Sequence, residues 1–171
     1  MDITPPADEV IERFWAEARK VAGLTRLGGV VGENELASLT PPTWAFGATA
    51  EVADALVELV LTGAKTATSS ALWEWEAENE EPPLPGDLAI VCDGAGTPRA
   101  LVRTVTAEVV AFDQVPAGHA AAEGEGDLSL SWWRDAHEKY FTTSLAPHDR
   151  AFAADMPVLL ETFTVLHPRR R

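Results

Sequence analysis

Apolar residues recur along this chain with two different periods, and the changes of period divide it into elements. From Ala7 to Ala22, the residues Val10, Phe14, Ala18 and Val21 follow one another at three- and four-residue spacing, which predicts an amphipathic helix. Pro5 and Pro6 precede it, Asp8 and Glu9 suit its positive end, and Lys20 suits its negative end. A second helix is predicted over Thr49 to Thr62, where Val52, Leu56, Leu59 and Val60 form an apolar face widened by Ala53, Val57 and Leu61. Between the two, residues 24–46 carry Gly28, Gly29, Gly32, Pro41 and Pro42 and read mostly as loop, with Trp44 and Phe46 fastening it to the core.

Further on the period shortens. Leu88 to Cys92 is apolar on both faces, as a buried strand is, and Ala100 to Thr106 alternates. Glu108 to Phe112 is the next strand or a continuation of that one after a bend. Pro85-Gly86 fits the centre of a type II turn, and Asp93-Gly94-Ala95-Gly96 turns the chain back. Leu72 to Glu81, with Trp73 and Trp75, fits either a strand or a short helix. Helices are predicted over Pro116 to Glu123 and Leu130 to Phe141, the latter with Trp133, His137 and Phe141 on one side. Pro157 to Leu166 reads as a long final strand. Closely spaced strands separated by turns, with helices before and among them, predict an α+β fold with an antiparallel sheet or small barrel.

Two polar stretches stand out against this frame. In Leu61-Thr62-Gly63-Ala64-Lys65-Thr66-Ala67-Thr68-Ser69-Ser70, a helix ends at a glycine and one lysine follows among five hydroxyls. Such a run is expected at the mouth of the fold, where it suits binding or attacking a small polar group. A lysine serves as a base only where burial or a neighbouring cation favours its neutral form; otherwise it holds an anion. The second stretch, Glu123-Gly124-Glu125-Gly126-Asp127, lacks calcium-loop spacing. It reads as a solvated acidic turn, a divalent-cation site, or the source of one inward carboxylate, Glu123. Of the adjacent Trp132 and Trp133, only one can face inward, which leaves the other to stack on a base beside Arg134. Ser69 and Ser70 lack a G-x-S-x-G elbow. Arg99, Arg103 and Arg150 read as ion-pair or surface residues before phosphate binders.

Composition narrows the classes. At 171 residues one domain is expected. The 13 basic against 27 acidic residues leave a charge of −14, so tight binding to duplex DNA is not expected, while a nucleoside or short single strand stays open. Cys92 has no second cysteine to pair with, and His119, His137, His148 and His167 show no metal-ligand spacing, so neither a disulfide nor a zinc site is expected. The first residues lack a basic head and apolar run, and no segment is apolar over a membrane-spanning length; a cytoplasmic protein without membrane association is expected.

Taken in order, Trp44-Ala45-Phe46-Gly47, Leu61 to Thr68, Leu84-Pro85-Gly86-Asp87, and Glu123 to Asp127 followed by Trp133-Arg134 and His137 resemble the ASCH (activating signal cointegrator homology) family. The resemblance implies a small, mostly antiparallel barrel like that of PUA RNA-binding domains, surrounded by helices. Residues 47–167 would form that domain, 1–46 a helix and loop packed on it, and 168–171 a mobile basic tail. Small bacterial relatives imply an amidohydrolase acting on N4-acylated cytidine through a lysine, a threonine and a glutamate, which fall on Lys65, Thr68 and Glu123. Trp44, Thr66, Ser69, Trp132, Trp133, Arg134 and His137 would then contact substrate. Other members imply a single-strand ribonuclease using a divalent cation, or an RNA-binding module without catalysis.

Overall fold

The computed structural model describes residues 1–24 and 39–169. The loop expected over 24–46 therefore lies outside the described residues for 25–38, as do residues 170 and 171 of the expected tail. The elements run α1 (Asp8–Val21), β1 (Thr43–Ala45), α2 (Ala50–Thr62), β2 (Ala67–Ala71), α3 (Leu72–Glu78), β3 (Leu88–Cys92), β4 (Pro98–Ala111), α4 (Ala117–Ala122), α5 (Leu130–Leu145) and β5 (Pro157–His167). The sheet order is β1-β3-β4-β5-β2, with β1 parallel to β3, and with β3/β4 and β2/β5 antiparallel. The expected α+β class with a mostly antiparallel sheet is the class observed. Among the described residues no helix is long and apolar enough to cross a membrane.

Four elements differ from the reading of the sequence or decide between its alternatives. Leu72–Glu78 is a helix, begun where the Glu74 carboxylate accepts from the Ala71 N–H at 3.3 Å and ended by Asn79 at φ +56°. Residues 98–111 form one continuous strand. The short β1 occupies part of what was expected to be loop, because Thr43–Ala45 borrows β3 as a parallel partner from far along the chain. In α2 the buried face is Ala53, Val57 and Val60, spaced i, i+4, i+7, while Val52 is 42% exposed. All three belong to the expected face; the small Ala53 side chain is fully buried, and it is the Val52 edge of that face that turns to solvent.

Two compact units make up the chain: residues 1–61, 88–103 and 165–171, and residues 62–87 and 104–164. In the first, Ile11, Trp15 and Ala18 of α1 pack with Ile90, Cys92 and Leu101. Burial, reinforced by Asp93, pushes the Cys92 thiol up to about 11, so it stays an unreactive apolar filler. Arg99 is held by Glu58 at 2.6 Å and Asp93 at 3.3 Å. Trp44 meets Phe46 edge-on at 4.5 Å and lines a cavity of about 180 Å³ with Ile3, Pro5, Pro6 and Cys92. In the second unit, Phe112, Trp133, Phe141, Leu145, Met156, Val158 and Leu160 form the core. Phe112 sits at its centre, with Trp133, Phe141 and Phe152 rings within 6.2 Å.

Candidate functional site

From Thr62 onward the lysine stretch lies in the second unit, as does the whole acidic stretch, and the two meet there. Lys65 follows the turn after α2 and stands two residues before the first residue of β2. It does not stand at an open mouth: 1% of its side chain is exposed, because the Glu123–Asp127 loop folds over it. The close approach depends on Gly124, whose φ is +74° and where a Cβ would lie 2.4 Å from the Ala64 carbonyl oxygen. Thr66 fastens the same seam, its N–H and hydroxyl both donating to the Ala122 carbonyl, at 2.8 and 3.3 Å.

The acidic loop is a receptor for the lysine. Lys65 Nζ lies 2.6 Å from Glu125 Oε1 and 3.1 Å from Glu123 Oε2, and it donates to the Glu123 carbonyl at 3.5 Å. Asp127 turns away and accepts from the Ser129 N–H at 2.9 Å, while Ser129 caps α5 by accepting from the Trp132 N–H. The loop is thus neither a freely solvated turn nor an open cation site, since the amine occupies the space between its two carboxylates. Among the described residues no three His, Cys, Asp or Glu side chains converge as a metal requires.

Glu123, 1% exposed, is the node of the cluster. Its Oε1 accepts from the Ser69 hydroxyl at 2.6 Å and the Trp133 indole N–H at 2.7 Å, and His119 Nε2 lies 3.5 Å away. Its Oε2 faces Lys65 and, at 3.5 Å, His137 Nε2. Burial by itself would raise this carboxyl, but hydrogen bonds from His119 and His137 and the charge of Lys65 outweigh it and hold Glu123 well below the usual carboxylate range. Helical spacing builds the arrangement: His119 and Glu123 sit at i and i+4 at the end of α4, as do Trp133 and His137 on α5. The His137 ring stacks on Trp133 at 4.1 Å, and its Nδ1 contacts the Trp133 carbonyl at 3.0 Å. Ser69 Oγ also lies 3.0 Å from His119 Nε2. A carboxylate so fully supplied with donors is a fixed negative charge; it holds a lysine and a serine in place.

Of the residues expected in the site, Lys65, Ser69, Glu123, Trp133 and His137 are brought into contact, with Thr66 at the adjoining seam. Thr68 is not on this face. Successive strand residues alternate sides, and Ser69 of β2 points at Glu123 while Ser70 accepts from the Trp75 indole; Thr68 shares the side of Ser70. Trp132 is the half-buried member of its pair and lies flat on Gly126, where a Cβ would come within 2.2 Å of the ring. Arg134 Nη2 donates to the Asp113 carbonyl at 2.9 Å, and Trp44 belongs to the other unit. Glu125 was expected only as part of a solvated turn or cation site, not as a partner of Lys65, and His119 was not expected as a site residue. The signals were present, one residue beyond Gly124 and four before Glu123, yet neither spacing alone says which way the side chain points.

A family model described as ASCH domain matches residues 42–167. Among solved structures, this chain is similar to a protein from Enterococcus faecalis V583, at 31% identity over 88% of both chains with a TM-score of 0.71. It is likewise similar to an ASCH domain from Lactobacillus crispatus JV V101, at 29% identity over 88% of this chain and 94% of that one, again with a TM-score of 0.71. A comparison with curated proteins gives no match.

Proposed function

The chain belongs to the ASCH domain family, and from that premise we propose that it is a nucleoside- or RNA-directed hydrolase whose preferred reaction is amide hydrolysis of an N4-acylated cytidine. The observation that carries the reading is the buried meeting of Lys65 with Glu123, two residues 58 positions apart that the resemblance had independently singled out. Burying an ion pair costs several kcal/mol of desolvation, roughly, and adds little stability over an apolar pair, so a site that keeps one is a candidate for function.

In this reading Thr68 supplies the attacking hydroxyl. Its oxygen bonds to the acyl carbon, the carbon–nitrogen bond breaks, and the proton lost by the hydroxyl ends on the leaving amine; water then cleaves the ester. Lys65, ion-paired to two carboxylates on the opposite face of β2 from Thr68, acts neither as a base nor on the reacting atoms; it fixes the start of the strand that presents Thr68. Glu123, saturated with donors and well below the usual carboxylate range, holds Lys65 and the start of β2 in place. That departs from the proton-carrying role the resemblance implies for it. Trp132, flat on Gly126, offers a stacking face for a base. A cation-dependent ribonuclease is less well supported, since Glu123 and Glu125 are both committed to Lys65.

The test is turnover of N4-acetylcytidine and of a short single-stranded RNA by wild type, Lys65→Ala and Thr68→Val, each with and without EDTA. Release of cytidine that survives EDTA and is lost in both variants supports the amidohydrolase. RNA cleavage abolished by EDTA replaces it with the nuclease. Absence of product from either substrate removes both hydrolase readings in favour of an RNA-binding module, whose affinity for RNA would weaken with salt.

A further inference from the structure

On the side of the sheet to which Thr68 of β2 is turned, away from Glu123, the neighbouring strand β5 carries a second buried carboxyl. Glu161 lies in the middle of β5 and is 9% exposed. It is the direct partner of Thr68 in the antiparallel β2/β5 register, so the two side chains project to the same side of the sheet. Directly opposed residues of this kind place their Cβ atoms about 5 Å apart. On the other flank, the Thr104 hydroxyl donates to Glu161 Oε1 at 2.6 Å.

The loop bordering this row is open to solvent. Leu84, Pro85, Gly86 and Asp87 are exposed, and they are tied to Thr104 by two backbone hydrogen bonds, Gly86 N–H to the Thr104 carbonyl and Thr104 N–H to the Asp87 carbonyl, each 2.9 Å. Two segments that the resemblance placed far apart in sequence, the threonine of the lysine stretch and the Leu-Pro-Gly-Asp turn, thus come together round one carboxyl.

The two buried glutamates differ in how they are satisfied. Glu123 faces a serine, an indole, a lysine and two histidines. For Glu161, the Thr104 hydroxyl is the single side-chain donor found among the described residues. A carboxyl group has roughly four lone-pair sites, and burying it with one neutral donor is costly unless a ligand supplies the others. Burial raises this carboxyl above its ordinary range, Thr104 partly opposes the rise, and the charge of Asp87 adds to it. That is the pattern of a group kept for recognition or proton exchange rather than for structural pairing.

We propose that Glu161, flanked by Thr68 and Thr104, is a recognition residue that accepts hydrogen bonds from the N–H edge of a cytosine-type base. The inference rests on the nucleoside reading above and adds to it the group that reads the base. A carboxyl accepts from the exocyclic N4 of cytosine, whereas uracil presents an oxygen acceptor at the same place. Thr68, on the same face, is then beside the base edge whose acyl group it would attack.

The experiment is calorimetric titration of wild type, Glu161→Gln and Thr68→Val with cytidine and with uridine, with thermal melting of each variant to confirm folding. Gln can still accept from Thr104, so Glu161→Gln preserves the internal hydrogen bond. Wild type is expected to bind cytidine about tenfold or more tightly than uridine, and Glu161→Gln to bring the ratio to about unity, since an amide can serve either base. Thr68→Val should weaken cytidine binding while leaving the preference in place. A cytidine preference that persists in Glu161→Gln overturns this inference and leaves the nucleoside reading standing. Wild-type protein that binds neither nucleoside overturns both. If Glu161→Gln does not fold, wild-type binding without preference between the two still overturns the inference, and a preference abolished in Glu161→Asp, whose carboxyl is withdrawn from the base edge, supports it.

Discussion

Lys65 and Glu123 face each other at 3.1 Å with 1% of each side chain exposed. Removing Glu123 would leave the buried Lys65 ammonium with Glu125 as its one remaining carboxylate, at 2.6 Å, in the core of the second unit. Glu123→Ala is expected to destabilise the protein by about 3–5 kcal/mol, since it also orphans the buried Trp133 indole N–H and leaves the Ser69 hydroxyl with His119 alone. Glu125→Gln, at a carboxylate 18% exposed, should cost much less. Urea denaturation of the two variants checks the order, and an equal loss would show that the lysine depends on both carboxylates alike.

The indole contact can be isolated from the packing. Trp133 is 1% exposed, stacks with His137 and donates to Glu123 at 2.7 Å. Trp133→Phe keeps an aromatic ring in the core but removes the donor to a charged acceptor. The hydrogen-bond part of the loss is expected at about 1.5–3 kcal/mol, added to that of the smaller ring. A double-mutant cycle with Glu123→Gln separates the two parts, because the hydrogen-bond part should shrink once the acceptor is neutral.

Much of this arrangement was legible in the sequence, for stated reasons. The helix carrying Trp133, His137 and Phe141 follows from their spacing, and the three are buried together as that spacing implies. Glu123 as an inward carboxylate was one of three readings of the acidic stretch, and only the structure chooses, because Gly124 directly after it and Gly126 beyond let the loop point either way. Lys65 was expected in the open. A run of hydroxyls reads as solvated, and nothing local shows that a loop 58 residues later will cover it. Thr68 illustrates a further limit. Motif position placed it with Lys65 and Glu123, but strand alternation turns it to the other face, where its neighbour is Glu161. That partnership exists only through the β2/β5 register, which no spacing within either segment encodes.

Gly124 is the hinge of the cover over Lys65. At φ +74°, with a backbone oxygen 2.4 Å from any added Cβ, alanine is disfavoured both by conformation and by contact, and the Ala64 carbonyl has no side chain to swing aside. Gly124→Ala is expected to cost about 1–3 kcal/mol and to raise hydrogen exchange at the Thr66 amide, which donates across the same seam to Ala122. Gly118, where an added Cβ meets nothing within 4 Å, is the control: Gly118→Ala, inside α4, should be neutral to stabilising. Exchange at Thr66 unchanged in Gly124→Ala would mean that the seam does not depend on the glycine.

The two buried glutamates should pull the pH dependence of stability in opposite directions. Glu123 is held below its ordinary 4.5 in the folded chain, so its contribution is present above that value and is lost as pH falls through the depressed folded value. Glu161 is raised above the same ordinary 4.5 by burial and by Asp87, against the partial opposition of Thr104. Its folded form therefore binds a proton more readily than the unfolded chain, and the stability it contributes in acid is lost as pH rises through the raised value. Between the ordinary and the raised value, wild-type stability should decline relative to that of Glu161→Gln, whose amide does not titrate. The measurement is urea denaturation of both proteins at a series of pH values from about 4 upward. The difference between the two curves should slope in that window and flatten above it. A difference that stays constant throughout would show that Glu161 titrates in the folded protein as it does in the unfolded chain.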